Sequence, residues 1–340
     1  MIKQAFSSVA HSAAFSKFVT LLEGASVRND HLLRVLTYHR VDRSDADAWL
    51  APGLISATPE AFEEQLIYLK NNYNPVSIAD LLAAYENRRR LPSCSVMVTF
   101  DDAYRNFAEH AWPILKRQGV PVTLFVPTGF PDRPEHTFWW DRLHQALANI
   151  DGQEVVPTPL GSLPIGTAIQ RAKTYKLLRD YVKTLPHETA MAWVEDFCCR
   201  LNLPPAENPV LSWNALRQLA QEGVALGAHT RSHPLLNRIP LSEVEAEVRG
   251  SLEDLQREIG SGTPIFSYPS GGFDEQVIQV VKACGVALAF TTDNGINDLR
   301  KIDWLRIRRI NISQRAPLAI LRARLLPVWT YLNAEGVVYR

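Results

Sequence analysis

The chain has 340 residues and a formal net charge of +0, because 36 lysines and arginines balance 36 aspartates and glutamates. This balance offers no basic field for phosphates, so nucleic acid is excluded as the expected partner. Hydrophobic residues make up 46% of the chain, and no apolar stretch approaches the ~20 residues that span a bilayer, so we expect a globular protein without a transmembrane segment.

The N-terminus, residues 1–26, is mildly amphipathic but lacks the long apolar run and the cleavage site of a secretory signal. The four cysteines form no CxxC pair and are expected to be free thiols in a reducing compartment. We therefore expect a cytoplasmic protein. Docking of the N-terminal segment on a membrane surface, or its use in a dimer, is left open, as is the oligomeric state.

Short β-branched runs alternate along the chain with longer stretches of helical periodicity. In chain order the predicted elements are the strand Leu33–Tyr38, the helices Pro59–Asn71 and Ile78–Glu86, the strand Val96–Phe100, the helix Phe107–Gln118, the strand Val122–Val126, the helix Trp213–Gln221, the strand Val224–Ala228, the helix Glu243–Ile259, the strand Ile265–Tyr268, the helix Asp274–Ala283 and the strand Val286–Thr291. Repeated β–α units predict an α/β fold with a parallel sheet, and their number favours a closed or nearly closed (β/α) barrel.

Between residues 130 and 211 this rhythm is lost. Thr137–Ile150 is predicted to be an amphipathic helix, Pro157–Gly166 a Pro/Gly-rich loop, and Ala168–Arg200 a polar helical region. We interpret the segment as an α-rich insertion on one barrel loop. The predicted organisation is an N-terminal helical extension (1–30), a barrel domain (31–315, with the insertion at 130–211) and a C-terminal tail (316–340).

Two adjacent carboxylates, Asp101 and Asp102, end the second predicted strand. Neighbouring strand side chains point to opposite faces, but both can reach one cleft where the chain bends. Two carboxylates held close together resist joint ionisation, so a metal on one of them would separate their roles. Capping of the following helix by either aspartate is the alternative.

Two histidines four residues apart, His229 and His233, follow a later strand in the same way. Gly227 and Pro234 disfavour a regular helix, so the pair is expected in a turn where both imidazoles can bind one ion. One carboxylate and two histidines, with positions left for water, form the ligand set of a catalytic site. Oxygen and imidazole donors suit Zn²⁺, with Co²⁺, Ni²⁺, Mn²⁺ or Fe²⁺ as alternatives.

These motifs resemble those of the NodB-like polysaccharide deacetylases, carbohydrate esterase family four. Thr99–Asp102 corresponds to the first motif, His229–His233 to the second, and Phe266–Gly271 lies where the third is expected. The resemblance runs from about residue 33 to residue 312, without the insertion and the termini. It implies a distorted (β/α) barrel with its site at the C-terminal strand ends.

The resemblance also implies a role for each motif residue. Asp101 would be the general base that accepts a proton from the attacking water, and Asp102, His229 and His233 would hold the metal. The backbone N–H of Ser270 would bind the developing oxyanion. The implied reaction removes an acetyl group from an N-acetylated amino sugar, in a glycan or in a glycolipid or nucleotide-linked precursor.

The chain departs from the family pattern in the partner of the base and in the proton donor. Ser267 stands where the family has an arginine that orients the base, so Arg308 or Arg309 is a candidate for the missing cation, a surface or structural role being the alternative. All nine histidines lie at or before His233, so the family's C-terminal general acid is absent. The candidate donors are His39, for which a packed or capping role is equally open, and Asp101 once it is protonated.

Flat aromatic side chains and residues near the motifs could bind the sugar. The candidate substrate contacts are Trp139, Trp140, Trp213, Asp141, Arg142, Tyr268 and Pro269. For each tryptophan the alternative is to cover the barrel under the insertion. Two other functions stay open: an O-acetyl esterase or other amidohydrolase on the same metal site, and a catalytically silent carbohydrate-binding barrel, against which the retained Asp101–Asp102 pair argues.

Overall fold

The computed structural model describes residues 13–25, 31–43, 50–150, 152–204, 207–260, 262–314 and 316–328. The rest of the predicted N-terminal extension and C-terminal tail lies outside the described residues. The α-helices are α1 (Ala13–Ala25), α2 (Pro59–Asn72), α3 (Ile78–Tyr85), α4 (Trp112–Gln118), α5 (Trp139–Ala148), α6 (Ala168–Val182), α7 (His187–Arg200), α8 (Trp213–Gln221), α9 (Leu241–Ile259), α10 (Glu275–Ala283) and α11 (Leu318–Arg324). Within the described ranges, no helix has the length and apolarity needed to cross a bilayer.

The strands form one large sheet and two small ones. They are β1 (Leu32–Tyr38), β2 (Arg40–Val41), β3 (Ile55–Ala57), β4 (Asn74–Pro75), β5 (Ser95–Phe100), β6 (Val122–Val126), β7 (Val155–Thr158), β8 (Gly161–Pro164), β9 (Ala225–Ala228), β10 (Ile265–Ser267), β11 (Leu288–Asn294), β12 (Asn297–Asp298) and β13 (Ile307–Asn311).

Seven parallel strands close into a barrel, in the order β1, β13, β11, β10, β9, β6 and β5. The closing pair β5–β1 is continuous, from Leu33 opposite Ser95 to Tyr38 opposite Phe100. Outside the barrel, β4 pairs with β5 in parallel and β12 pairs with β1 antiparallel. The predicted (β/α) barrel is therefore confirmed, and its helices pack on the outer face of the strands.

Alternation along the strands decides which side chains face the barrel interior. On β5 and β13, Met97 and Ile307 belong to one apolar cluster. Two residues further along each strand lie Thr99 and Arg309, and the Arg309 guanidinium reaches both Thr99 and Asp101 across the barrel. The interior is therefore apolar over most of its depth and polar at its carboxyl-terminal end.

Local sequence signals set the helix ends as predicted. Thr58 caps α2, because its hydroxyl oxygen accepts the backbone N–H of Ala61 at 3.2 Å. Gly119 ends α4 with a φ of 64°, in the left-handed region that glycine adopts without steric cost. A π-helical turn, Phe107–Ala111, leads into α4 where the sequence predicted one continuous helix.

The segment between β6 and α8 differs most from the prediction. The expected loop at 157–166 is instead the β7–β8 hairpin, whose pairing runs from Val155 opposite Pro164 to Thr158 opposite Gly161. The expected single helical region is divided into α6 and α7, because Pro186 lacks the N–H that a continuing helix needs and instead precedes α7 as its N-cap. Helices α5, α6 and α7 share an apolar cluster of their own.

Candidate metal centre

Turns at the carboxyl ends of β5, β9 and β10 bring the predicted site residues into one cavity. Each turn contains non-glycine residues with positive φ: 71° at Asp102, 64° at Thr230, 60° at His233 and 50° at Ser270. Such backbone costs on the order of 1–3 kcal/mol per residue, and it clusters at functional sites. By folding the chain back on itself, it allows the adjacent Asp101 and Asp102 to face the same cavity.

Asp102, His229 and His233 converge at the base of this cavity. Oδ1 of Asp102 lies 3.4 Å from Nε2 of His229 and 3.2 Å from Nε2 of His233. One potential ligand atom from each side chain lies within 4.8 Å of the other two, and all three residues are buried. The structure thus brings together the three residues that the sequence predicted as metal ligands, in an arrangement that could hold a metal ion.

The chemistry of this cluster fits a divalent cation. Nδ1 of His229 lies 2.7 Å from the carbonyl oxygen of Ser267, which can only accept, so Nδ1 carries a proton and Nε2, the nitrogen that faces Asp102, is the atom that could bind a cation. Oδ1 of Asp102 is buried and accepts no hydrogen bond from the described residues. A buried carboxylate oxygen that faces imidazole lone pairs is costly unless a cation neutralises it.

Asp101, the neighbour of this cluster, is buried in a bidentate ion pair. Nη1 and Nη2 of Arg309 donate to its two carboxylate oxygens at 2.8 Å and 2.7 Å, and Nη2 also donates to the hydroxyl of Ser267 at 3.0 Å. Burial is the largest single effect and raises the pKa of Asp101, but the charge and hydrogen bonds of Arg309, together with the nearby His229 and His39, hold that pKa below its ordinary value.

Arg309 therefore supplies the cation that the third-motif position, Ser267, lacks. Arg308, the other candidate, is exposed and lies on the opposite face of β13. Ser267 completes the arrangement, since its hydroxyl also lies 3.4 Å from Oδ2 of Asp101.

The cavity above these residues receives side chains from the barrel loops and from the insertion. Apart from the four motif residues, its lining includes His39, Ala51, Gly53, Leu54, Trp139, Trp140, Tyr175, Arg179, Lys183, Ser270 and Thr292. His39 is half-buried, its backbone N–H donates to the hydroxyl of Ser56 at 3.0 Å, and a positive charge on its ring lowers the pKa of Asp101. The predicted candidates His39 and Ser270 thus lie at the cavity.

The two adjacent tryptophans at the cavity differ in their contacts. Trp140 is 6% exposed; its ring packs edge-on against His233, with 4.9 Å between centroids, and stacks on Phe138 at 4.5 Å. Its indole N–H donates to the hydroxyl of Tyr104 at 2.9 Å. Trp140 therefore supports a metal ligand more than it offers a surface for a sugar, whereas Trp139 is only half-buried.

The expected substrate contacts of the third-motif turn are not at the cavity. Tyr268 is fully buried in the core, and its hydroxyl donates to the carbonyl oxygen of Leu305 at 3.1 Å. Pro269 is buried as well, and neither residue lines the cavity. The structure therefore places both residues outside the cavity: the side chain of Ser267 faces the barrel interior, so its neighbour Tyr268 lies on the opposite face, where its ring packs against Phe266 at 5.3 Å.

The expected headgroup contacts also lie elsewhere. Asp141 is buried and accepts hydrogen bonds from the backbone N–H of Ala51 at 2.7 Å and from the hydroxyl of Tyr104 at 2.8 Å. Burial raises its pKa to about 7. Arg142 donates to the carbonyl oxygen of Pro204 at 2.7 Å, and Trp213 packs into the core away from this cavity.

The residues that fix the turn between His229 and His233 were not predicted from the sequence. Glu247 on α9 accepts the backbone N–H groups of Arg231 and Ser232 at 2.7 Å and 2.9 Å. Asp254, two turns beyond Glu247 on the same helix, accepts two hydrogen bonds from the Arg231 guanidinium, at 2.8 Å and 3.0 Å. Acidic residues on an amphipathic helix are typical of a solvated face, so the pattern alone gave no signal.

A buried Asp–His–His cluster beside an ionised aspartate, at the carboxyl-terminal end of a parallel barrel, is the arrangement of a metal-centred hydrolase. A family model described as polysaccharide deacetylase matches residues 88–289, more than half of the chain. The chain belongs to the polysaccharide deacetylase family, and the resemblance noted in its motifs is confirmed.

Individual relatives match different shares of the chain. Poly-beta-1,6-N-acetyl-D-glucosamine N-deacetylase of Escherichia coli K12 is 34% identical over 95 residues, which are 28% of this chain and only 13% of that protein. The solved structure of the Streptococcus pyogenes deacetylase PplD in complex with acetate has a TM-score of 0.59 at 20% identity and covers 88% of this chain and 100% of its own. A de-N-acetylase from Aggregatibacter actinomycetemcomitans has a TM-score of 0.59 at 19% identity, covering 86% and 99%. These structural likenesses show the fold.

Proposed function

We propose that the chain is a metal-dependent deacetylase that removes the acetyl group from an N-acetylated amino sugar, in a glycan or a glycan precursor. The observation that carries the proposal is the position of Asp101, ionised by Arg309 and adjacent to the Asp102–His229–His233 cluster. The name of the Escherichia coli relative and the acetate in the Streptococcus pyogenes structure support the same acyl group.

Asp102, His229 and His233 would hold the metal, and their one carboxylate and two imidazoles suit Zn²⁺ first, with Co²⁺, Ni²⁺, Mn²⁺ or Fe²⁺ as alternatives. When bound, such a cation supplies Lewis-acid chemistry, which polarises the acyl oxygen and acidifies water.

The protein side chains supply the proton transfers. Asp101 accepts the proton of the attacking water, and Arg309 fixes its carboxylate through both oxygens. The water oxygen first bonds to the acyl carbon, whose carbonyl oxygen becomes an oxyanion; the carbon–nitrogen bond then breaks as the nitrogen takes up a proton, which leaves acetate and an amine. The backbone N–H of Ser270 is our candidate for the developing oxyanion, and His39 or the protonated Asp101 gives the amine its proton.

The test is acetate release from matched N-acetyl and O-acetyl sugars by protein stripped of metal and then reconstituted with Zn²⁺ or Co²⁺. Metal-dependent release from the N-acetyl sugars alone would support the proposal. Release from the O-acetyl sugars alone would identify an esterase, whose alcohol leaving group needs less help from a proton donor. Bound metal without release from any sugar would favour a carbohydrate-binding barrel that has lost catalysis.

His39→Gln tests the proton donor separately. If His39 protonates the amine, this variant loses N-deacetylation about 10²-fold or more and keeps its metal. An unchanged pH–rate profile in His39→Gln would move the donor role to Asp101.

A further inference from the structure

Positive side chains from outside the motifs line the cavity and the space beside it. Arg179, at the end of α6, and Lys183, just beyond it, both line the cavity and are four residues apart, on one face of the helical segment. A smaller side cavity adjoins the first, and Trp139, Lys183, His233 and Ser270 line both. Arg238 lines the side cavity.

The negative side chains that line these two cavities already interact with other groups of the site. Asp101 is paired with Arg309, and Asp102 belongs to the metal cluster. Among the residues that the structure describes, the rest of the lining includes no aspartate or glutamate. The combined lining therefore carries a surplus of positive charge next to the catalytic centre.

Lys183 is the half-buried cation that lines both cavities. Among the described residues, no acceptor forms a hydrogen bond or an ion pair with its ammonium group, whereas Arg179 is held by Asp180 at 2.8 Å. Burial lowers the pKa of Lys183 and the charge of Arg179 lowers it further, while the more weakly acting charges of Asp180 and Asp102 raise it. Arg238 is exposed and likewise has no side-chain acceptor among the residues that the structure describes. Lys183 is half-buried, so its ammonium group is partly removed from water without a partner, and a bound anion would offset that cost.

We propose that Lys183 and Arg238 bind an anionic substituent, a phosphate or a carboxylate, on the amino sugar whose acetamide is cleaved at the adjacent centre. This inference rests on the proposed function and narrows it to acidic N-acetylated sugars in preference to neutral ones. Because Lys183 lines both cavities, a substituent near the acetamide can enter the side cavity while the acetamide reaches the metal cluster. The insertion, which contributes Lys183, is thereby a specificity element.

The test compares kcat/KM for acidic and neutral sugars in the metal-reconstituted protein. The probes are N-acetylglucosamine, its 1-phosphate, its 6-phosphate and N-acetylmuramic acid, which carries a carboxylate. We expect kcat/KM for at least one acidic sugar to exceed that for the neutral sugar by about tenfold or more, since its anionic group can accept charge-assisted hydrogen bonds that the neutral sugar lacks. The preference should fall as salt rises from about 0.02 to about 0.3 M. The sugar that is preferred distinguishes phosphate from carboxylate.

Variants assign the preference to the named residues. Lys183→Met and Arg238→Met should each lower the acidic-to-neutral ratio about tenfold through KM, and Lys183→Arg should retain it. Lys173→Met, an exposed lysine of the same helix outside both cavities, is the matched control and should leave the ratio unchanged. A wild-type ratio near one for every acidic sugar, or an equal loss for acidic and neutral sugars in Lys183→Met, would overturn the proposal.

A titration that needs no turnover separates this proposal from the proposed function. The quenching of tryptophan fluorescence by each sugar measures binding in the metal-free protein. If no sugar releases acetate, the proposed function fails, but tighter binding of the acidic sugar that is lost in Lys183→Met still supports the anion site. Equal binding of acidic and neutral sugars would refute it.

Discussion

Replacing Arg309 by methionine tests how the site keeps its base ionised. Arg309 and Asp101 have side chains only 1% and 4% exposed, and the guanidinium bonds both carboxylate oxygens. Methionine fills similar space without charge. In Arg309→Met, the Asp101 carboxylate keeps one hydrogen-bonding side chain among the described residues, the hydroxyl of Ser267 at 3.4 Å.

The loss of unfolding free energy in Arg309→Met is limited by the cost of protonating Asp101. Breaking a buried ion pair from one side costs about 3–5 kcal/mol when the remaining charge stays buried. Asp101 can escape this cost by taking up a proton, which at pH 7 costs about 4 kcal/mol from an ordinary pKa of about 3.9 and at pH 5 only about 1.5 kcal/mol. We therefore expect a loss of about 3–4 kcal/mol at pH 7 that shrinks to about 1.5 kcal/mol at pH 5.

The sign of this pH dependence follows from proton binding. In the wild type, the lowered pKa of Asp101 contributes stability that is present above the unfolded pKa and is lost as the pH falls through the folded value. In Arg309→Met, burial raises that pKa instead, so the folded state binds the proton more tightly and stability falls as the pH rises.

The assay is urea unfolding of the metal-free protein, followed by tryptophan fluorescence at both pH values. A double-mutant cycle with Asp101→Asn isolates the pair from the other contacts of Arg309. The exposed neighbour provides the control, since Arg308→Met should change the unfolding free energy by no more than about 0.5 kcal/mol. An equal loss at pH 5 and pH 7, or no coupling in the cycle, would refute the reasoning.

Three further predictions concern the histidine turn and its ion. Glu247→Gln should weaken metal affinity about 10–100-fold, because the histidine turn loses the carboxylate that accepts the N–H groups of Arg231 and Ser232. Glu245→Gln, on the exposed face of the same helix, is the control and should bind metal as the wild type does. Equal affinities of the two variants in a metal titration would contradict this prediction. Hydrogen bonds from two arginines hold the pKa of Asp254 below its ordinary value against the effect of burial, so Asp254→Asn should destabilise the protein at pH 7. Urea unfolding should show this difference from the wild type narrowing only as the pH falls below about 3.9, the unfolded pKa, toward the lowered folded value; a difference that does not change with acid would exclude this linkage. A chelator should lower the melting temperature of the metal-loaded wild type and not that of His229→Ala, and equal shifts in calorimetry would place the ion elsewhere.

The parts of the site that depend on short-range pattern were predictable from the sequence. Asp101, Asp102, His229 and His233 each follow a strand, and parallel strands end at one side of a barrel, so their convergence follows from the element order. The ligand cluster and the closed barrel agree with that expectation.

The remaining features depend on which distant residues meet. The alternation of β13 allowed either Arg308 or Arg309 to face inward, and only the register of β13 with its neighbours decides for Arg309. Tyr268 could not be placed without knowing that Ser267 faces the barrel interior, which puts Tyr268 on the opposite face of the chain beside Phe266. Lys183 reaches the cavity through the packing of the insertion on the barrel, which no local periodicity encodes.

The most direct measurement is metal content together with acetate release in two variants, Asp101→Asn and His229→Ala. We predict that Asp101→Asn binds metal as the wild type does and releases acetate at least about 10²-fold more slowly, because the proposed ligands remain and the base is lost. We also predict that His229→Ala no longer retains the metal. Wild-type turnover in Asp101→Asn, or full metal content in His229→Ala, would contradict the assignment of base and ligands.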